Sequence, residues 1–324
     1  MNKKPRSLIR IIIPVVLTLV TIALIVWPMM AGGQYVVLDP KGPIGASQKD
    51  LIIISTILCA IVIVPVLILS AVIVWRYRDK PDNKTAYEPN WAHSTKAEVV
   101  WWTIPIIIIG LLAIVTVRYT YDLEPSKPLV HEEKTPITIQ VSSLDWKWLF
   151  LYPEQGIATV NTLNIPADRP VKFELTADSP MNSFWIPQLG GQIYTMSGMA
   201  MTLYLQADHE GKYWGSGANF TGEHFGQMRF DVNATSDEEF DKWVREVKQQ
   251  SQPMTQETYD ALAKPGTSNV AYFSEFPEGL FQKIVTKYVV DGKSAHSKHE
   301  GSSSNESAAG DKSLSVPQVN TSTN

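Results

Sequence analysis

Three short stretches hold most of the residues in this chain that are equipped for chemistry. In WGSGANFTGEHFGQM, Trp214 to Met228, His224 and Met228 stand four residues apart, and an imidazole with a thioether suits copper. A third ligand would have to be His209. The alternative is that Met228 opens a strand and points into a core while His224 sits on a loop in water. DWKWLFLY, residues 145–152, concentrates aromatic side chains. Its Trp146 and Trp148 form a patch that serves either as a docking face or electron path, or simply as packing. Glu98 stands at the head of an apolar run and is followed by VVWWTIP, with Pro105 able to kink a helix there. An acid at a membrane edge can hand protons inward, or it can rest in water beside Lys96.

Other chemistry is excluded. There is no Ser-His-Asp arrangement, Walker loop, dinucleotide fingerprint or paired-cysteine motif. The remaining histidines are His93, His131, His296 and His299. The single cysteine, Cys59, lies inside an apolar run, so no intrachain disulfide forms and no thiolate metal site exists outside a membrane. The net charge is −4, with no basic stripe, so nucleic acid is not a partner.

The elements that must position these residues follow from where charge is absent. Ile11–Ala31, Leu51–Trp75 and Val99–Val117 carry none, and each approaches the length that spans a bilayer core of about 30 Å. Residues 1–35 read as an uncleaved anchor or a signal, and 36–123 as a membrane hairpin with helices at about 50–77 and 98–119. Lys3, Lys4, Arg6 and Arg10 precede the first run, and Arg76, Arg78, Lys80, Lys84 and Lys96 fill the 76–97 loop, against only Lys41 and Lys49 between the first two runs. That bias puts the amino terminus and the 76–97 loop in the cytoplasm and everything after Val117 outside, in the periplasm of a bacterial cell.

Residues 124–235 then alternate in the manner of strands: ITIQVSSL (137–144), VKFELTA (171–177), MTLYLQA (201–207) and MRFDVNA (228–234). Turn residues at short intervals predict an antiparallel sandwich or barrel. From 236 to 292 the period becomes helical. Ser236 and Glu239 form a capping box, Phe240, Trp243, Val244 and Val247 recur on one face, and further helices are expected near 255–264 and over 279–290. Residues 293–324 have the composition of a disordered tail.

Four ordered blocks carry a resemblance. LDPKGPIG (38–45), YEPNWAHSTKAEVVWWTIPI (87–106), DWKWLFLYPEQGIATVN (145–161) and MNSFWIPQLGGQIY (181–194) resemble subunit II of the cytochrome bo-type ubiquinol oxidases, in the haem-copper oxidase superfamily. The resemblance implies two core membrane helices, with the anchor or signal before them, then a cupredoxin-like Greek-key β sandwich and a short helical extension. Copper-bearing relatives hold a dinuclear centre through an early histidine and a later segment C-S-E-x-C-G-x-x-H-x-x-M. Laid on this chain, the frame puts Asn182 at the early histidine, Gly217 and Thr221 at the thiolates, Asn219 at the glutamate and Phe225 at the second histidine. Only Met228 is kept, and His224 falls one residue off the frame.

The resemblance therefore implies a subunit that binds no cofactor of its own and does not meet cytochrome c. Haems, copper and quinol are expected in the partner subunit I, alongside further oxidase subunits and lipid, in the inner membrane. Trp146 and Trp148 revert to packing or interface roles. Glu98 matches an acid near the mouth of a proton-conducting path into subunit I. Gly33 stands where relatives carry a lipidated cysteine, so lipidation is not expected. Two rival readings are a copper-bearing, cytochrome c-oxidising subunit and a stand-alone membrane-anchored binding protein.

Overall fold

The computed structural model describes residues 35–78, 92–129 and 134–289, with the isolated positions 20 and 90. The expected first membrane segment is covered only at 20 and 35. The expected tail, together with Gly33, His131, His296 and His299, lies outside the described residues.

Two long helices come first, α1 (Pro43–Arg76) and α2 (Thr95–Asp122), each long and apolar enough to cross a bilayer. Leu67, Val74 and Trp102 on them point away from the rest of the chain. Both helices outrun the spans expected from apolar content. α1 starts at Pro43 because a proline at the first helical position gives up an N–H that would have no partner there, and GASQKD then continues the helix. α2 starts where the Ser94 hydroxyl accepts from the Ala97 N–H at 3.5 Å. Charge marks where an apolar span ends, whereas capping marks where the helix ends.

Ten strands follow: β1 (Ile137–Leu144), β2 (Lys147–Tyr152), β3 (Ile157–Val160), β4 (Thr162–Pro166), β5 (Val171–Ala177), β6 (Asn182–Trp185), β7 (Ile193–Thr195), β8 (Met201–Leu205), β9 (Gly211–Gly217) and β10 (Arg229–Thr235). After them come α3 (Asp237–Gln250), α4 (Gln256–Leu262), β11 (Ala271–Phe273) and α5 (Leu280–Thr286). One sheet runs β11-β3-β2-β1-β5-β8 and the other β4-β10-β9-β6-β7. The sandwich is not wholly antiparallel as expected, for β1 pairs parallel with β5 and β4 parallel with β10. Alternating side chains report which face a residue takes, not strand direction. The chain changes sheets between β3 and β4 through Asn161 alone, at φ 56°, a left-handed conformation that asparagine tolerates better than most residues. Its side chain holds the corner: Oδ1 accepts from the Trp148 N–H at 2.9 Å and Nδ2 donates to Ser268 O at 2.8 Å.

Between the sheets lies an aromatic core of Trp148, Phe150, Phe173, Phe184 and Phe230, with Phe184 stacked on Phe230 at 5.3 Å. Burying each such side chain contributes roughly 1.5–3 kcal/mol. β2 is buried on both faces: Trp148, Phe150 and Tyr152 face the other sheet, while Leu149 and Leu151 face a second core made with Met254, Leu280, Phe281 and Ile284. The extension thus packs on the sandwich. Its Ser236 cap forms, with Oγ accepting from Glu239 N–H at 3.2 Å, and it supplies β11 to the edge of the first sheet, beside β3.

The sandwich is clasped to the helix hairpin through the backbone. Lys41 N–H donates to Gln188 O at 2.8 Å, Gly45 N–H to Leu189 O at 3.0 Å, Asp208 N–H to Lys41 O at 2.8 Å, and Tyr204 N–H to Pro125 O at 3.0 Å. The approach is close enough that a Cβ on Gly42 would stand 2.0 Å from Gln206 O, which only glycine avoids.

Candidate functional site

The loop between β9 and β10 closes on itself. Asn182, the first residue of β6, is 2% exposed, and its amide N–H donates to Met228 Sδ at 2.7 Å while its Oδ1 accepts from Ser183 N–H at 2.8 Å. Gly217, the last residue of β9, donates its N–H to Met228 O at 3.0 Å. A Cβ at Gly217 would lie 2.7 Å from Asn182 Oδ1, so the amide occupies the space that a side chain there would need. Asn182, Gly217 and Met228, far apart in sequence, therefore meet at one point. The donor set at that point is one thioether, already engaged by an N–H, and a neutral amide. That set does not fit a dinuclear copper centre, which needs bridging thiolates and imidazoles. Among the described residues no group of three or more His, Cys, Asp or Glu side chains is arranged to hold a metal ion.

The other positions of the frame line the same loop. Thr221 O accepts from Trp146 Nε1–H at 3.2 Å, Asn219 Nδ2 donates to Met181 O at 3.1 Å, and Phe225, in a short 3-10 turn, packs edge-on against Phe220 at 5.7 Å. His224 packs edge-on against Trp146 at 5.0 Å. His209 is not brought to it: that residue lies in the β8–β9 turn beside Val36, Asp39 and Lys41, and its carbonyl accepts from Tyr213 Oη at 2.6 Å. The three-ligand arrangement His209, His224 and Met228 does not assemble.

The two tryptophans part ways. Trp148 is fully buried, edge-on to Phe184 at 5.4 Å and to Phe230 at 5.7 Å. Trp146 occupies the two-residue turn between β1 and β2 at φ 60°, a conformation that costs a non-glycine residue roughly 1–2 kcal/mol. Its contacts with Thr221, His224 and Gly222 offset that cost, and Gly222, at φ 112°, lets the loop pass over the indole. The composition of DWKW signals aromatic packing but not this pairing, because the partner loop lies many residues downstream.

Glu98 lies in the first turn of α2, and its neighbour is His93, not Lys96. Its carboxylate meets His93 Nδ1 at 2.5 Å, with the glutamate side chain 32% exposed and the histidine 69%. A further charged cluster went unannounced by any motif: Asp178, just after β5, is surrounded by Tyr259, Lys287 and Tyr288.

Comparison with known proteins gives a consistent result. Residues 248–292 match the family described as COX Aromatic Rich Motif, which covers the end of α3 through α5. The cytochrome bo(3) ubiquinol oxidase subunit 2 of Pseudomonas putida is 50% identical over 262 residues, covering 80% of this chain and 82% of that protein. The ubiquinol oxidase subunit 2 of Acetobacter aceti is 45% identical, covering 80% and 85%. The quinol oxidase subunit 2 of Bacillus subtilis (strain 168) is 43% identical, covering 86% and 84%. Among solved structures, the periplasmic domain of subunit II of the cytochrome oxidase of Bradyrhizobium japonicum is similar over 37% of this chain and 99% of that one, at 20% identity and a TM-score of 0.35.

Proposed function

We infer the role of this chain from the family to which it belongs, subunit 2 of the quinol oxidases. It is a membrane-anchored subunit of an oxidoreductase complex that oxidises quinol. Within that complex we assign it a supporting role, in which quinol, haems and copper are held by subunit I, dioxygen is reduced to water there, and protons move outward. The observation that carries this assignment is the closed cluster of Asn182, Gly217 and Met228. We read Asn182, Gly217, Asn219, Thr221, Phe225 and Met228 as former copper-ligand positions now serving packing, so electrons from a soluble cytochrome would find no acceptor here. The excess of Arg76, Arg78 and Lys96 at one end of the hairpin supports a cytoplasmic loop and a periplasmic sandwich.

Glu98 is assigned to proton uptake at the cytoplasmic edge, on the ground that it stands at the foot of an apolar helix and shares a contact with the more exposed His93. Substituting Glu98→Gln in the assembled enzyme is expected to lower quinol-driven turnover several-fold; unchanged turnover and proton pumping would remove the assignment.

The subunit assignment is tested by purifying the complex through this chain and measuring haem, copper on the separated subunit, and oxygen uptake driven by ubiquinol or by reduced cytochrome c. Haem should co-purify, with ubiquinol active and cytochrome c inactive. Copper on this chain, or cytochrome c-driven uptake, would overturn it.

A further inference from the structure

Asp178 lies at the rim of the first sheet, its backbone N–H donating to Ser143 O on β1 at 2.9 Å. Its side chain is 1% exposed. The carboxylate accepts from Tyr259 Oη on α4 at 2.5 Å, from Lys287 Nζ at 2.7 and 3.0 Å, and from Tyr288 Oη at 2.6 Å, the last two from the turn after α5. One buried charge thus joins α4 and the turn after α5 to the end of β5.

The rest of the attachment is of a different kind and lies elsewhere. β11 forms a short ladder with β3, and Lys147 Nζ donates to Lys264 O and Gly266 O, both at 2.7 Å. These contacts surround the strand that separates α4 from α5. The apolar layer beneath, Leu149, Leu151 and Val160 against Leu280, Phe281 and Ile284, is a cluster separate from the core between the sheets. The two clusters lie on opposite faces of β2.

We propose that residues 256–288 of the C-terminal extension form a hinged cap on the first sheet, with β11 as hinge and Asp178 as lock, so that loss of the carboxylate's charge releases α4 and α5 while the two-sheet core, with α3 packed on it, stays folded. A cleft of about 410 Å³ lined by Asp145, Ser179, Ser197, Lys287 and Tyr288 brings solvent to the lock. The titratable groups that face it are Tyr259, Lys287, Tyr288 and, across the cleft, Asp145. Burial pushes the Asp178 carboxyl up, but hydrogen bonds from Lys287, Tyr259 and Tyr288 outweigh that and hold it below the usual carboxylate range. The lock is consequently closed at neutral pH and opens only in acid.

The test is hydrogen exchange followed by mass spectrometry on the full chain in detergent, and again on the assembled complex. In Asp178→Asn, segments within 256–288 should exchange faster by about tenfold or more, as expected for losing charge-assisted bonds, while β1, β2, β5 and β10 keep their protection. Tyr288→Phe and Lys287→Gln, at more exposed positions, should give smaller increases confined to the same segments, and they serve if Asp178→Asn fails to accumulate. Unchanged exchange across 256–288 in all these variants, or loss of protection in the core strands together with the cap, would overturn the proposal.

Discussion

Gly217→Ala tests the closed loop directly. The new Cβ would lie 2.7 Å from Asn182 Oδ1 and 3.4 Å from its Cγ, so the amide must move. Asn182 is fully enclosed and tied at both ends of its amide, to Ser183 N–H and to Met228 Sδ, so it has little freedom to move. Overpacking of this kind costs typically 1–3 kcal/mol, and weakening a buried hydrogen bond adds roughly 0.5–1.5 kcal/mol. A loss of about 2–4 kcal/mol corresponds to a fall in Tm of about 5–15 °C for a domain of this size. Thermal unfolding of the purified chain, followed by tryptophan fluorescence, measures it. Asn182→Ala alone should also destabilise, but the double variant should cost less than the sum, since the shortened side chain makes room for the new methyl. Quinol-driven turnover of the assembled Gly217→Ala enzyme, measured below its Tm, should match the parent. Gly226→Ala, where the added Cβ meets nothing within 4 Å, is the control. A Gly217→Ala chain as stable as this control, or strict additivity with Asn182→Ala, would refute the packing argument.

Three further outcomes are expected. Gly42→Ala places a Cβ 2.0 Å from the backbone oxygen of Gln206, so it should loosen the clasp between α1 and the sandwich and raise protease sensitivity near Lys41 and Gln188. Trp148→Ala should cost about 3–5 kcal/mol by opening a cavity in the core, whereas Trp146→Ala, at a half-buried turn position, should cost less; denaturant unfolding of the two variants ranks them. The folded-state pKa of Asp178 lies below the ordinary carboxylate value, so its contribution is complete above that value and is lost as pH falls through the lower one. An acid titration of cap protection should show that step in the parent chain and lack it in Asp178→Asn.

How much of this was legible in the sequence depends on the distance over which each feature is decided. The apolar runs Leu51–Trp75 and Val99–Val117 and the Ser236 cap are set by near neighbours, and these appear where they were read. The parallel pairs β1–β5 and β4–β10 were not legible, because alternation fixes the face of ITIQVSSL and VKFELTA but is silent on which strands meet. KWLFLY illustrates the same limit. The unbroken apolar run from Trp148 to Tyr152 does indicate burial on both sides, yet only the folded extension reveals that Leu149 and Leu151 face Leu280 and Phe281 while Trp148 and Phe150 face Phe184 and Phe230.

On the proposed reading of 217–228 as a former copper loop, the sequence speaks through what the loop lacks, because the spacing of Gly217, Thr221, Phe225 and Met228 matches the frame. The spatial meeting of Asn182, Gly217 and Met228 gives a physical reason for the residues at 182 and 217 to go together. An amide at 182 that reaches Met228 Sδ fills the volume above residue 217, and a glycine at 217 is what leaves that volume open. A side chain added at 217 alone would collide with the amide, and removing the amide at 182 alone would leave the thioether without its N–H donor. Each residue thus makes a change at the other costly, which is the coupling that the Gly217→Ala and Asn182→Ala cycle measures.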